Sequence, residues 1–224
     1  MWLDRQNLLI GEDSSKKLQQ ANVLICGLGG VGGYVAEMLV RAGVENLTLI
    51  DFDVVTESNL NRQIVALTNT IGKYKVDVFK ERAVLINPNC KIKVVKDKIC
   101  ENNLKYLINE KYNYIIDCID SFMDKVSLIE FAVQNQYNIV SAMGAGRKFD
   151  IPSFYVTDIF KTEYDPLAKK LRKALREKSI KKLNVVTSKS IASNCNGVIG
   201  SISYYPAACG CVVASFVVNE IIKE

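Results

Sequence analysis

The chain has 224 residues, 49% hydrophobic and 24% charged, a globular balance that excludes disorder, collagen and coiled coil. Lys and Arg number 29 against 24 Asp and Glu, for a net charge of +5, and histidine is absent, which excludes a Ser-His-Asp triad, a Cys-His protease and a His-ligated zinc. The seven cysteines, at 26, 90, 100, 118, 195, 209 and 211, form no C-x-x-C pair and fit a reducing cytoplasm.

Met1-Trp2-Leu3-Asp4-Arg5 lacks the basic region and apolar stretch of a signal peptide. Residues 22–26 form a short branched apolar run, the pattern of a buried strand, and a glycine-rich turn and a helix to about Ala42 follow. Further strands are predicted over 47–50, 92–95, 114–118 and 138–142. A helix near 73–86 stops before Asn87-Pro88. Strands spaced by helices imply parallel pairing with right-handed crossovers. The expected fold is therefore α/β, a doubly wound Rossmann-like, mainly parallel sheet.

After Ala145 the pattern changes. Strands are predicted over 154–157, 183–187 and 201–205, as antiparallel additions in the C-terminal third. A helix covers 166 to about 178, with Pro166 in its first turn. Residues 188–200 are polar and rich in Gly, Asn and Ser, and read as a mobile loop. The most apolar segment, 207–222, carries Asn219 and Glu220; it is short for a membrane span and suits a buried or interface helix. The chain reads as one domain over 1–224, with its pattern changing between a first part (1–145) and a second (146–224).

Gly27-Leu28-Gly29-Gly30-Val31-Gly32 is the sharpest local signal. It follows a strand and opens a helix, so the backbone can approach phosphates and the helix start offers free N–H groups to an anion. Asp51 ends the second strand, 19 residues after Gly32, where a carboxylate can hold ribose hydroxyls. Alone, this fingerprint reads as a dinucleotide site. Ser58-Asn59-Leu60-Asn61-Arg62-Gln63, then Lys75, then Asp120-Ser121 past the fourth strand change that reading. A nicotinamide oxidoreductase leaves Arg62, Lys75 and Asp120 unexplained. Nucleotidyl transfer needs cations on the phosphates and a carboxylate for Mg²⁺. Structural readings stand beside these: a tight turn at the glycines, a helix cap at Asp51 or Asp120, solvated charges at Arg62 and Lys75, and Lys73 as a rival to Lys75.

On these residues, with Arg5-Gln6 and Ile86-Asn87-Pro88, the chain resembles the ubiquitin-activating-enzyme-like adenylyltransferases over nearly its whole length. The resemblance implies ATP and Mg²⁺ as cofactors. It implies Asp51 on the ribose, Asn59, Arg62 and Lys75 on the triphosphate, and Asp120 on Mg²⁺. Gly27, Gly29, Gly30, Gly32, Ser58, Asn61 and Ser121 complete the nucleotide cradle. Arg5 would reach ATP, in some relatives from the partner subunit of a homodimer. The two C-x-x-C zinc pairs usual in carrier-activating relatives are missing, so no zinc is expected, and Cys195 is only a lone loop cysteine.

The C-terminal third resembles the tRNA threonylcarbamoyladenosine dehydratases. The carriers are Val156-Thr157-Asp158-Ile159, Lys161-Thr162, Asp165-Pro166-Leu167-Ala168 with Leu171-Arg172, and Gly200-Ser201-Ile202-Ser203-Tyr204. That family uses ATP to cyclise N6-threonylcarbamoyladenosine in tRNA, without zinc pairs. The nucleophile is tethered to the carboxylate it attacks, so neither a Cys nor a His is needed. The 188–200 loop is short for that family, and Cys209-Gly210-Cys211 departs from its smaller apolar residues. Alternatives are an adenylyltransferase for a ubiquitin-like sulfur carrier, with a sulfur-transfer protein as partner, and a non-catalytic nucleotide-binding module.

Charge is concentrated to match. Residues 166–182 hold eight cations (Lys169, Lys170, Arg172, Lys173, Arg176, Lys178, Lys181, Lys182) and one anion, leaving 21 cations against 23 anions elsewhere. The whole basic excess thus lies on one helix and its exit. Leu167, Leu171, Ala174 and Leu175 give that helix an apolar face, so Lys169, Lys170, Arg172, Lys173 and Arg176 are candidate tRNA contacts. The alternative is a solvated helix face.

Overall fold

Alternate residues of a strand point to opposite faces of its sheet, so an apolar run of five buries both faces at once. The computed structural model of the chain describes residues 2–151, 154–191 and 199–223. Among the described residues seven strands form one sheet in the order β3-β2-β1-β4-β5-β7-β6. They are β1 (Asn22–Cys26), β2 (Asn46–Ile50), β3 (Lys91–Val95), β4 (Tyr114–Asp117), β5 (Ile139–Ala142), β6 (Phe154–Asp158) and β7 (Asn184–Ser188). All neighbours pair parallel except β6 and β7, which are antiparallel. The expected doubly wound sheet is therefore present, with a single antiparallel edge strand.

The helices are α1 (Asp4–Ile10), α2 (Glu12–Gln20), α3 (Gly32–Arg41), α4 (Lys75–Ile86), α5 (Leu104–Leu107), α6 (Phe122–Gln134), α7 (Pro166–Glu177) and α8 (Tyr204–Lys223). Val23 and Ile25 of β1 pack with α2, α3, α4 and α8 on one face. Leu24 and Cys26 pack with α5, α6 and α7 on the other. One strand thus serves two cores.

The strand expected over 201–205 is not formed: Tyr204 and Tyr205 already belong to α8. Tyr205, Cys209, Val213, Val217 and Ile221 are buried, and this four-residue spacing belongs to a helix face rather than to a strand. Gly210 explains the close seating of α8. A side chain there would put its Cβ 2.7 Å from the Val31 carbonyl oxygen and 2.9 Å from Tyr34 Cβ on α3. By length and composition α8 is apolar enough to cross a bilayer, but this inward face lies against the sheet and α3. Residues 192–198, with Cys195 and most of the expected 188–200 loop, lie outside the described residues.

Candidate functional site

The sheet order reverses direction of winding at β1, whose neighbours are β2 on one side and β4 on the other. In a doubly wound sheet the loops leaving such a pair diverge and open a crevice at the carboxyl ends of the strands. Gly27 leaves β1 with φ 90° and donates its N–H to the Ile50 carbonyl at 2.9 Å. A Cβ on Gly32 would lie 1.8 Å from the Gly27 carbonyl oxygen, so the loop closes this tightly only with glycine at 32. Within the first turn of α3 the Gly33 and Tyr34 N–H groups go to the Gly29 and Val31 carbonyls, each at 3.1 Å.

Asp51 follows β2 and is buried. It accepts the Leu28 N–H at 2.5 Å and the Asp53 N–H at 2.8 Å. It is therefore a clamp on the glycine loop rather than a helix cap. Burial pushes its carboxyl above the ordinary carboxylate value, against the pull of those two N–H groups.

Lys73 and Lys75 differ in setting. Lys73 is exposed, whereas Lys75 is buried and donates to Asp53 Oδ2 at 2.7 Å. A 3₁₀ turn at Glu57–Asn59 presents the next group. Asn59 is buried there and accepts the Thr56 N–H at 3.1 Å within a capping box. Ser58 shares its hydroxyl with Thr56, and its carbonyl accepts Arg62 Nη1 at 2.7 Å. Asn61 Oδ1 also accepts Arg62 Nη1, at 2.9 Å, while Asn61 Nδ2 donates to the Ser201 carbonyl at 3.1 Å. The Arg62 stem lies beside Gly30. Arg62 is thus aimed by its neighbours and is not a free surface charge.

Asp120 sits past β4, exposed, with no hydrogen-bond or ion-pair partner among the described residues. The N-cap position of α6 is Ser121, so Asp120 does not cap that helix. Beneath it lies a cluster that the motif reading missed. Lys125 is wholly buried and donates to Asp117 Oδ2 (2.7 Å), Ser141 Oγ (3.1 Å) and the Ala142 carbonyl (3.1 Å). Ser141 donates to the same Asp117 oxygen at 2.5 Å. The other Asp117 oxygen accepts the Ile119 N–H at 3.0 Å, directly before Asp120. A signal existed: Lys125 shares a helix face with Leu128 and Ile129, an odd place for a solvated lysine.

Arg5 is not brought to this crevice within its own chain. Gln6 of α1 donates to the Ala42 carbonyl at 2.9 Å, and Leu3 packs on Gly43, past the far end of α3. That end is about 15 Å along the helix from the glycine loop. The described cysteines are unpaired, and burial pushes Cys209 up to about 12, away from nucleophilic use.

Helix α7 starts on the Asp165 cap, which accepts the Ala168 N–H at 3.0 Å, and buries Ala168, Leu171 and Leu175. Lys169, Lys170 and Lys173 face solvent. Two of the expected contacts are partly committed elsewhere. Arg172 binds the Thr162 carbonyl at 3.0 Å, and Arg176 lies over the Phe160 ring, 5.5 Å from its centroid. The pairing with Phe160 was invisible in sequence, because that ring comes from another turn.

A family model described as the ThiF family matches residues 3–223. Haemophilus influenzae tRNA threonylcarbamoyladenosine dehydratase is 42% identical over 165 residues, 74% of this chain and 63% of that protein. The Bacillus subtilis protein of the same name is 38% identical over 80% of this chain and 70% of its own length. The chain thus spans under two thirds of the length of the Haemophilus relative. The solved structure of Escherichia coli tRNA N6-threonylcarbamoyladenosine dehydratase, TcdA, in complex with ATP is similar with a TM-score of 0.93 at 34% identity. The match covers 98% of this chain and 93% of that one.

Proposed function

This chain belongs to the ThiF family, and from that premise we propose that it catalyses the ATP-dependent cyclising dehydration of N6-threonylcarbamoyladenosine in tRNA. The observation that carries the reading is the switch-point crevice itself: a glycine loop, a buried Asp51 and an unpartnered Asp120 carboxylate in a fold shared with a dehydratase solved with ATP.

In this reading Gly27, Gly29, Gly30 and Gly32 let the backbone meet the phosphates, and Asp51 keeps lone pairs free for ribose hydroxyls. Arg62 and Lys75 neutralise charge on the phosphates, and Ser58, Asn59, Asn61 and Ser121 complete the cradle. Asp120 would hold Mg²⁺, being an exposed carboxylate with no partner among the described residues. When bound, Mg²⁺ supplies charge neutralisation at the phosphates.

The threonyl carboxylate of the modified base attacks the α-phosphate, and pyrophosphate leaves. An atom of the carbamoyl group then attacks the acyl carbon of the acyl-adenylate, AMP departs, and the ring closes with net loss of one water from the nucleoside. The protein's task is orientation, since the nucleophile is already tethered. Lys169, Lys170 and Lys173 are the cations best placed to meet RNA phosphates. Arg5 would act only across a homodimer, from the partner protomer, and the setting is cytoplasmic.

The test is pyrophosphate release from Mg-ATP with tRNA carrying threonylcarbamoyladenosine and with tRNA lacking it. Release with the modified tRNA alone, with loss of one water mass from the nucleoside, is the expected result. Release with neither refutes the reading and moves the weight to a ubiquitin-like carrier or to a module without turnover.

A further inference from the structure

The segment after β5, Gly144-Ala145-Gly146-Arg147-Lys148, ends in a lysine that none of the nucleotide motifs uses. Lys148 is only 4% exposed. Its Nζ donates to Asp165 Oδ2 at 2.8 Å and to Ser188 Oγ at 3.2 Å. Tyr205 donates its hydroxyl to the same Ser188 oxygen at 2.7 Å. The second oxygen of Asp165 is the cap of α7. The ammonium thus joins the β5 exit to the start of the basic helix and the end of β7, and Ser188 extends the cluster to the start of α8.

A buried ion pair of this kind is a poor source of stability, because desolvation of both charges offsets their attraction. What it supplies is direction, since every hydrogen bond in the cluster has one geometry. The cluster also connects to the phosphate loop. Pro206, next to Tyr205, stands 3.1 Å from where a Cβ on Gly30 would lie. Gly30, Pro206, Tyr205, Ser188, Lys148 and Asp165 thus form an unbroken line of contacts from the glycine loop to α7.

We propose that Lys148 and Asp165 are positioning residues that set the start of the basic helix at a fixed distance from the glycine loop, so that RNA held on α7 presents its carboxylate to the nucleotide. The inference rests on the proposed dehydratase function. It separates binding from chemistry: phosphate contacts on a displaced α7 and nucleotide contacts in the crevice both survive, but their mutual geometry does not.

The test is the double variant Lys148→Met/Asp165→Asn, in which Asn keeps the helix cap. Three quantities are read: the Kd of a non-hydrolysable ATP analogue, the Kd of modified tRNA, and tRNA-dependent kcat per nucleotide-binding site. The expected result is a kcat lower by about tenfold or more, as small misplacement of reacting groups produces, with both Kd values within about twofold. Lys148→Arg, which keeps the cation, falls between the double variant and wild type. A kcat per site equal to wild type overturns the proposal. So does a parallel loss of both affinities, which marks general damage. Should the double variant not fold, Tyr205→Phe removes only the hydroxyl from Ser188, and a kcat reduced about threefold at unchanged Kd is expected; an unchanged kcat there also refutes the role. A wild type silent with modified tRNA removes the functional reading and the inference with it, whereas an active wild type matched by its variants removes the inference alone.

Discussion

Lys125→Met removes an ammonium from the floor beneath Asp120 and keeps most of the side-chain volume. Lys125 and Asp117 are both fully buried, and the variant deletes the contacts at 2.7, 3.1 and 3.1 Å to Asp117, Ser141 and the Ala142 carbonyl. Asp117 is left as a buried carboxylate with one hydroxyl and one N–H as donors. Breaking a buried pair from one side costs about 3–5 kcal/mol. That is a large share of a net stability of about 5–15 kcal/mol. For a chain of this length it lowers Tm by about 10 °C. The assay is thermal and urea unfolding of Lys125→Met beside Lys125→Met/Asp117→Leu, in which both charges are gone. The double variant is expected to recover most of the loss, because no lone charge remains. A single variant within about 1 kcal/mol of wild type, or a double variant no better than the single, refutes the account. Since Asp117 also holds the Ile119 N–H, the single variant is expected to lower adenylation in the fraction that stays folded.

Four further outcomes follow from the geometry. Asp120→Ala is expected to keep the fold and abolish pyrophosphate release, and near-normal turnover removes Asp120 from the site. Gly32→Ala drives a Cβ to 1.8 Å from the Gly27 carbonyl oxygen, so the loop must open; a stability loss of about 1–3 kcal/mol and weakened ATP binding are expected by calorimetry, and wild-type affinity refutes the tight-turn argument. Reversing Lys169, Lys170 and Lys173 to Glu is expected to weaken tRNA binding and to lower the slope of log Kd against log salt by about 0.9 per lost phosphate contact, whereas unchanged binding returns α7 to a solvated face. Glu37 on α3 is buried and bonded to Arg82 at 2.7 Å and Arg41 at 2.8 Å. Burial pushes its carboxyl up, but the two guanidinium groups prevail and hold it below the usual carboxylate value. The folded state therefore prefers the anion. Its stabilisation is present above the ordinary carboxylate pKa and is lost as pH falls through the lowered one. The Tm gap between wild type and Glu37→Gln is expected to be widest near neutrality and to close in acid, and a pH-independent gap refutes the assignment.

Much of the candidate crevice was legible because the residues that shape it stand close together in the chain. Gly27 to Gly32 must turn a strand into a helix within six residues, and Asp51 ends the neighbouring strand, so spacing alone placed both. Arg62 was legible as part of Ser58 to Gln63, whose own backbone aims it. The pairing of Lys75 with Asp53 was not legible, because its partner stands more than twenty residues away. The start of α8 was misread as a strand because Tyr204 and Tyr205 favour strands locally, whereas the tight seat of Gly210 against α3 rewards a helix.

By itself the sequence determined the alternation of strands and helices, the glycine turn after β1, and the concentration of positive charge on one capped helix. These are written in periods of two and 3.6 residues and in short turn chemistry, which need no distant partner. The tertiary structure alone decided the strand order that opens the crevice between β1 and β4, the distance of Arg5 from it, and the buried lysines at 125 and 148. Lys148 meets Ser188 across 40 positions of chain, and such a pairing exists only once β5 and β7 lie side by side, because sheet order rather than local pattern brings those carboxyl ends within hydrogen-bond reach.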